Sequence, residues 1–242
     1  MAPPLPRPAA HPSATPDPRE AFGSPIGEEL LDHPDAPADL VRESLHHLGR
    51  SNRLFGGVAA ARAGVRRLLA GVTRRVSLLD LGTGRGDIPL ALGRIHPPGL
   101  ALFGLDRHRA AAALATAAGV PTAVGDAFVL PFANRSVDVV LASQLAHHFA
   151  ADGVVALARE ASRVARLGVV IADLRRSWWA GTGFRLAARA LGFDRYTRED
   201  GVTSLARGFR PADLAATIRT AGFEPVVTTH LGARVVATWR TA

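Results

Sequence analysis

With 242 residues, 48% of them apolar, the chain is long enough for one large α/β domain with additional helices. The absence of cysteine excludes disulfides, thiolate metal sites and any cysteine nucleophile, including one that attacks a pyrimidine ring. The net charge of +8 rests on 29 basic residues, all arginine and scattered except at Arg66-Arg67, Arg74-Arg75 and Arg175-Arg176, which reads as a solvated surface and argues against a nucleic-acid partner.

Residues 1–24 are a Pro/Ala/Ser-rich tail without an apolar block of the signal-peptide kind, and are expected to be disordered. Residues 25–72 read as an N-terminal helical cap, with helices over about 26–33, 37–49 and 57–71. Leu40, Val41, Leu45 and Leu48 recur there at helical spacing, and Gly56-Gly57 interrupts the pattern. This segment either covers a ligand site or packs on the sheet edge. No apolar run is long enough to span a membrane, so a cytoplasmic protein is expected.

From residue 76 strand and helix patterns alternate, which predicts a parallel sheet with helices on both faces. Residues 77–87, Ser-Leu-Leu-Asp-Leu-Gly-Thr-Gly-Arg-Gly-Asp, are the most informative stretch. An apolar strand ends at Asp80, Gly82, Gly84 and Gly86 alternate, and Asp87 opens a helix. Glycines at such a turn let a ligand approach the backbone closely. A dinucleotide loop reads Gly-x-Gly-x-x-Gly and keeps its helix N-terminus bare for a pyrophosphate. Here the third glycine comes one residue early, and the Asp87 charge would repel a phosphate. The phosphate-binding loop is excluded too, since no Gly-Lys-Ser/Thr follows. An acid at Asp80 suits a ligand that carries positive charge.

Here the chain resembles the class I S-adenosylmethionine-dependent methyltransferases, whose first motif has the form Asp/Glu-x-Gly-x-Gly-x-Gly, and among them those of quinone and natural-product biosynthesis. The strand Ala101–Leu105 ends in Asp106, where the family places an acid for both ribose hydroxyls. Gly125-Asp126-Ala127 ends the third strand, before Leu130-Pro131-Phe132, and in the family that acid meets the adenine amino group. Ser136–Gln144 resembles the fourth strand and Val169–Asp173 the fifth. Asp138 reads as a solvent-facing acid at a strand start, without a ligand role. The rhythm lapses over 174–210, which holds Trp178-Trp179, Phe184, Phe193, Tyr196 and Arg198–Asp200, and is expected to be a substrate-side insertion of one helix and a loop. A helix Pro211–Ala221 and strands Glu224–Leu231 and Arg234–Arg240 would then close a Rossmann-like sheet of seven strands with an antiparallel hairpin. The resemblance thus implies a methyltransferase domain over 73–242. It implies S-adenosylmethionine as cofactor, held by Asp80, Gly82, Thr83, Gly84, Gly86, Asp106, Arg107, Gly125, Asp126, Ala127, Ser143 and Gln144, with no metal. Ser51-Asn52-Arg53 could reach the cofactor carboxylate.

For the chemistry, His147 and His148 follow the fourth strand, next to where a methyl group would lie. One of them could act as a general base, or either could pack or cap; adjacent helical residues point about 100° apart, so at most one should face the substrate. Asp173, at the end of the fifth strand, could orient a histidine or the substrate, or cap a helix. Base-modifying enzymes carry Asn/Asp-Pro-Pro-Tyr/Phe after the fourth strand, whereas this chain has Ser143-Gln144-Leu145-Ala146. The expected acceptor is therefore a small aromatic, quinone or polyketide-like molecule, with oxygen favoured over carbon. Trp178-Trp179 either lines its pocket or packs. RNA or protein methylation, a cofactor-binding regulator without catalysis, and a nucleotide-dependent oxidoreductase are the competing readings; monomer and homodimer both stay open.

Overall fold

The computed structural model describes residues 37–93, 95, 99–193 and 195–241; the expected tail and the helix at 26–33 lie outside them. Two helices come first, α1 (Ala38–Leu54) and α2 (Gly57–Leu68). Next come β1 (Val76–Leu81), α3 (Asp87–Leu92), β2 (Leu100–Asp106), α4 (Arg109–Ala117), β3 (Thr122–Val124) and β4 (Val137–Ser143). A 3₁₀ turn over Ala146–His148 leads into α5 (Ala151–Val164), β5 (Ala165–Leu174), α6 (Ala180–Ala190) and α7 (Arg195–Arg207). The described chain closes with α8 (Pro211–Thr220), β6 (Val226–His230) and β7 (Arg234–Arg240).

All seven strands join one sheet in the order β3-β2-β1-β4-β5-β7-β6. The pairings among β1 to β5 are parallel, whereas β7 runs antiparallel to both β5 and β6. This is the Rossmann-like seven-stranded sheet with a closing antiparallel hairpin. The order reverses between β1 and β4, and a crevice opens beyond the strand ends at such a point.

Alternation along the strands divides the core into two layers. Leu79 and Leu81 pack with Leu157 of α5 and with Leu214 and Ile218 of α8. Leu78 points the other way, toward Ala61 and Val65 of α2 and Ile88 of α3. At Gly64 of α2 an added Cβ would lie 2.5 Å from Val170 Cγ1 and 2.9 Å from Val236 Cγ1, so only glycine lets this helix lie so close to the sheet. Gly64→Leu is expected to lower stability by about 2–3 kcal/mol through overpacking, despite better helix propensity. The urea midpoint measures that.

Two expectations change here. The segment 174–210 holds two helices, because Gly192 takes a left-handed φ of 70° that ends α6 before α7 begins. Asp138 is not solvent-facing but buried. It accepts hydrogen bonds from Arg74 Nη1 (3.0 Å) and Nη2 (2.7 Å) and from Ser77 N (2.9 Å) and Oγ (3.1 Å), tying the start of β1 to β4. Burial pushes its carboxyl up, but the bonds from Arg74 and Ser77 prevail and hold it well below the usual carboxylate range. A depressed folded-state pKa stabilises the fold above the unfolded value of about 3.9, and that stabilisation fades as pH falls toward the folded value. Asp138→Asn is expected to cost about 1–2 kcal/mol at neutral pH, modest because Arg74 is half exposed. It should also flatten the loss of stability in acid, read by denaturant melts on both sides of pH about 4.

Candidate active site

The glycine loop leaves β1 at the switch point. Gly82 and Gly84 have φ of 65° and 56°, in the left-handed region that disfavours side chains. An added Cβ would lie 2.9 Å from Leu145 Cδ1 at Gly82 and 3.1 Å from Leu45 Cδ2 at Gly84. The loop borders a cavity of about 370 Å³. Asp80, Gly82, Thr83, Gly84, Asp106, Arg107, Gly125, Asp126, Ala127, Ser143, Gln144, His147 and His148 all line it. Gly86 does not: a Cβ there would meet Val120 Cγ2 at 3.1 Å, so this glycine serves packing against the segment after α4.

The acids differ in state. Asp80 is buried; its Oδ2 accepts from Thr83 Oγ1 at 3.0 Å, and its Oδ1 has no partner. Burial pushes this carboxyl well above the usual range, and the neighbouring charges of Asp87 and Asp106 add to the rise. An unpaired buried oxygen in a cavity wall is a place for a ligand donor or cation. Asp106 joins β2 to the loop: Oδ2 accepts from Gly84 N at 2.9 Å and Oδ1 from His108 N at 2.9 Å. Burial raises its pKa as well. Each of its oxygens keeps a lone pair for a ligand hydroxyl. Asp126 is exposed and accepts from Phe128 N at 2.9 Å, which shapes the loop after β3. Phe128 and Phe149, edge-on with centroids 4.7 Å apart, add flat apolar wall.

A polar chain crosses the cavity floor. Gln144, with a left-handed φ of 53°, donates from Nε2 to Asn52 Oδ1 and accepts at Oε1 from Arg234 Nη1 (2.7 Å). Asn52 Nδ2 in turn donates to Asp87 Oδ2 at 3.0 Å. Arg234 is buried, which pulls its guanidinium down to about 10, while Asp173 acts in the opposite sense. Of the Ser51-Asn52-Arg53 trio, Asn52 reaches this cavity, Ser51 lines a neighbouring one, and Arg53 is exposed. Sequence reasoning missed Arg234, whose one signal is a charge that opens a buried, largely apolar strand. It also left unassigned Leu45 and Leu48 as ligand-facing positions, although with Asn52 they share a helical spacing.

Beyond β4 the 3₁₀ turn carries both histidines. His147 is buried, with Nδ1 2.7 Å from Asp173 Oδ1, and its backbone N donates to Asp173 Oδ2 at 3.2 Å. Its Nε2 is buried and has no partner among the described residues, and the residue lines the cavity. Asp173 is fully buried and does not itself line the cavity. Burial would raise its pKa, but the charge and hydrogen bond of His147 outweigh that and lower it. Both histidines are among the residues that line the cavity. The segment is a 3₁₀ turn rather than an α-helix, and the two rings lean together with centroids 4.2 Å apart.

A second chamber of about 330 Å³ adjoins the first and shares Leu48, Gln144 and Ser204 with it. It lies between the end of α1, helices α6 and α7, and the start of β7, with Phe55, Leu174, Trp179, Phe184 and Leu205 among its walls.

A family model described as a methyltransferase domain matches residues 79–172. A demethylmenaquinone methyltransferase of Roseiflexus castenholzii is 34% identical over 166 residues, which cover 61% of this chain and 68% of the relative. One from Roseiflexus sp. (strain RS-1) is 32% identical over 167 residues, with the same coverage. Among solved structures, a SAM-dependent methyltransferase from Aquifex aeolicus superposes with a TM-score of 0.59 at 14% identity, over 85% of this chain and 99% of that one. The magnesium protoporphyrin IX methyltransferase of Synechocystis PCC 6803 with bound SAM gives 0.59 at 12% identity, over 95% and 100%. At those identities the two structures speak for the fold.

Proposed function

Because the chain belongs to the class I S-adenosylmethionine-dependent methyltransferases, we propose that it methylates a small hydroxyaromatic acceptor of quinol or polyketide type. The second chamber carries this reading. Its walls are largely aromatic and aliphatic, with Gln144, Asp200 and Arg234 as polar groups among them; it has the volume of a small ligand and meets the glycine-loop cavity at Gln144. An RNA or protein acceptor would call for an open groove instead. The Roseiflexus relatives, named for a quinone, support the same acceptor class.

The residues of the first cavity fit the cofactor. The unpartnered Asp80 Oδ1 suits a cationic group, Asp106 has lone pairs for hydroxyls, and the Phe128 and Phe149 faces suit a flat ring. Asp126, Arg107 and the backbone from Gly125 to Ala127 complete that side, and Ser143 and Gln144 border it toward the acceptor. When bound, the cofactor supplies a methyl group made electrophilic by its sulfonium. The protein's task is alignment and removal of the acceptor proton. Asp173 holds the His147 ring so that Nδ1 carries the hydrogen and Nε2 the lone pair. Nε2 takes the hydroxyl proton, and the ring oxygen thus ionised attacks directly or activates an adjacent ring carbon. Asp173 is therefore a positioning residue.

Incubation of the chain with methyl-labelled S-adenosylmethionine and separate metabolite, RNA and protein fractions tests the reading. Label in a hydroxyaromatic or quinol product is the expected result, and the position of the label separates oxygen from carbon methylation. Label confined to RNA or protein would reject the small-molecule acceptor.

A further inference from the structure

Several large apolar side chains at or within two residues of the second chamber's lining residues Phe55, Trp179, Phe184 and Gly232 are exposed. Trp178 is 95% exposed, Leu231 91%, Leu186 68%, Leu54 57% and Trp179 46%. They come from three separate parts of the chain: the end of α1, the segment opening α6, and the β6–β7 turn. Backbone contact holds the first and third together, since a Cβ on Gly232 would lie 2.1 Å from Phe55 O and one on Gly56 2.6 Å from Leu231 O. The Phe55 and Phe184 rings, 5.4 Å apart and edge-on, join α1 to α6 beneath this rim. Trp179 belongs both to the rim and to the chamber wall, so the exposed apolar surface runs continuously into the cavity.

Positive charge accompanies it. Over residues 174–207 the sequence has seven arginines against three acids, and none of those acids precedes residue 194. Arg53, Arg176, Arg185 and Arg189 are exposed beside Leu54, Trp178 and Leu186 in sequence. Along α6, Thr182, Arg185, Leu186 and Arg189 are all exposed and fall on one helical face. Exposed tryptophan and leucine set among arginines is the composition of a segment lying in a lipid interface. A second copy of the chain would bring like charges together across this face, whereas an anionic bilayer complements them.

We propose that this rim docks on an anionic membrane surface, with Trp178, Leu186 and Leu231 in the headgroup layer, and that the second chamber opens there toward a lipophilic acceptor. The docking proposed is peripheral; among the described residues no helix is long and apolar enough to cross a membrane. The docking surface stands on its own geometry; the passage of acceptor rests on the acceptor class proposed above.

Flotation with vesicles of phosphatidylcholine, alone or mixed with phosphatidylglycerol, tests the docking without any turnover. The full chain is expected to float with the mixed vesicles and not with the neutral ones, and added salt should weaken the binding. Trp239 is buried, so a blue shift of tryptophan emission on binding reports Trp178 and Trp179. Trp178→Ala and Leu231→Ser are each expected to lower partition about tenfold, and Arg185→Glu with Arg189→Glu at least as much. Calorimetry with S-adenosylmethionine should give wild-type affinity in all of them, which separates lost docking from a lost fold. Equal binding to neutral vesicles, no binding to anionic ones, or partition untouched by Trp178→Ala would overturn the proposal. So would a dimer, seen by light scattering, that Trp178→Ala dissociates, for it would put a second copy on the rim. Lipid docking without methylation of any hydroxyaromatic would leave this surface standing and remove only the acceptor class.

Discussion

His147→Gln is expected to lower kcat by about a hundredfold or more, with S-adenosylmethionine affinity unchanged. Asp173 is fully buried and its pKa is lowered, chiefly by His147 against the penalty of burial, so it is an ionised, acceptor-only group at neutral pH. A carboxylate 2.7 Å from Nδ1 fixes the proton on that nitrogen and leaves the lone pair on Nε2. A phenol with a pKa of about 10 is ionised at neutral pH at a cost of roughly 4 kcal/mol, and a base in place removes much of that cost. Glutamine keeps an N–H for Asp173 and so avoids an orphaned buried carboxylate, but it takes no proton. Asp173→Asn should lower kcat too, because the tautomer is no longer fixed. His148→Gln should cost less; a loss as large as that of His147→Gln would make His148 the base. An unchanged rate in His147→Gln would remove His147 as the base, and unchanged rates in both variants would remove histidine from proton abstraction.

Legibility in the sequence follows the distance over which each feature is encoded. The glycine loop could be read because Asp80 to Asp87 are covalent neighbours, and a strand that turns into a helix can only fold that way locally. Asp106 and Asp173 were legible as strand-end acids, since a parallel sheet brings the ends of its strands to one edge. Arg234 was not. Its place beside Gln144 depends on β7 pairing antiparallel with β5, which sets Arg234 opposite Leu174. Asp138 misled for a related reason: alternation marks a strand-start acid as outward, but Arg74, just ahead of β1, closes over it across 64 positions. The histidine pair sits on a 3₁₀ turn where the sequence pattern suggested an α-helix, because the two begin with the same residues.

Gly84→Val is expected to lower S-adenosylmethionine affinity by at least a hundredfold, measured by calorimetry. Two effects act together. At φ of 56° a β-branched residue sits in the left-handed region, at a cost of about 1–3 kcal/mol. The loop can relieve that strain only by moving. Movement breaks the bond from Gly84 N to Asp106 Oδ2, which holds the loop and the second strand's acid in register. The new side chain also starts 3.1 Å from Leu45 Cδ2 and pushes α1 off the cavity. Gly71→Val is the control, since Gly71 has a φ of 80° with nothing within 4 Å of an added Cβ, and it lines neither cavity. It carries the same backbone strain and should lose comparable stability while it binds the cofactor normally. Equal loss of binding in both variants would mean that strain alone explains the result. A loss confined to Gly84→Val places the ligand against the loop that Gly82 and Gly84 open, with Asp80 and Asp106 on either side of it.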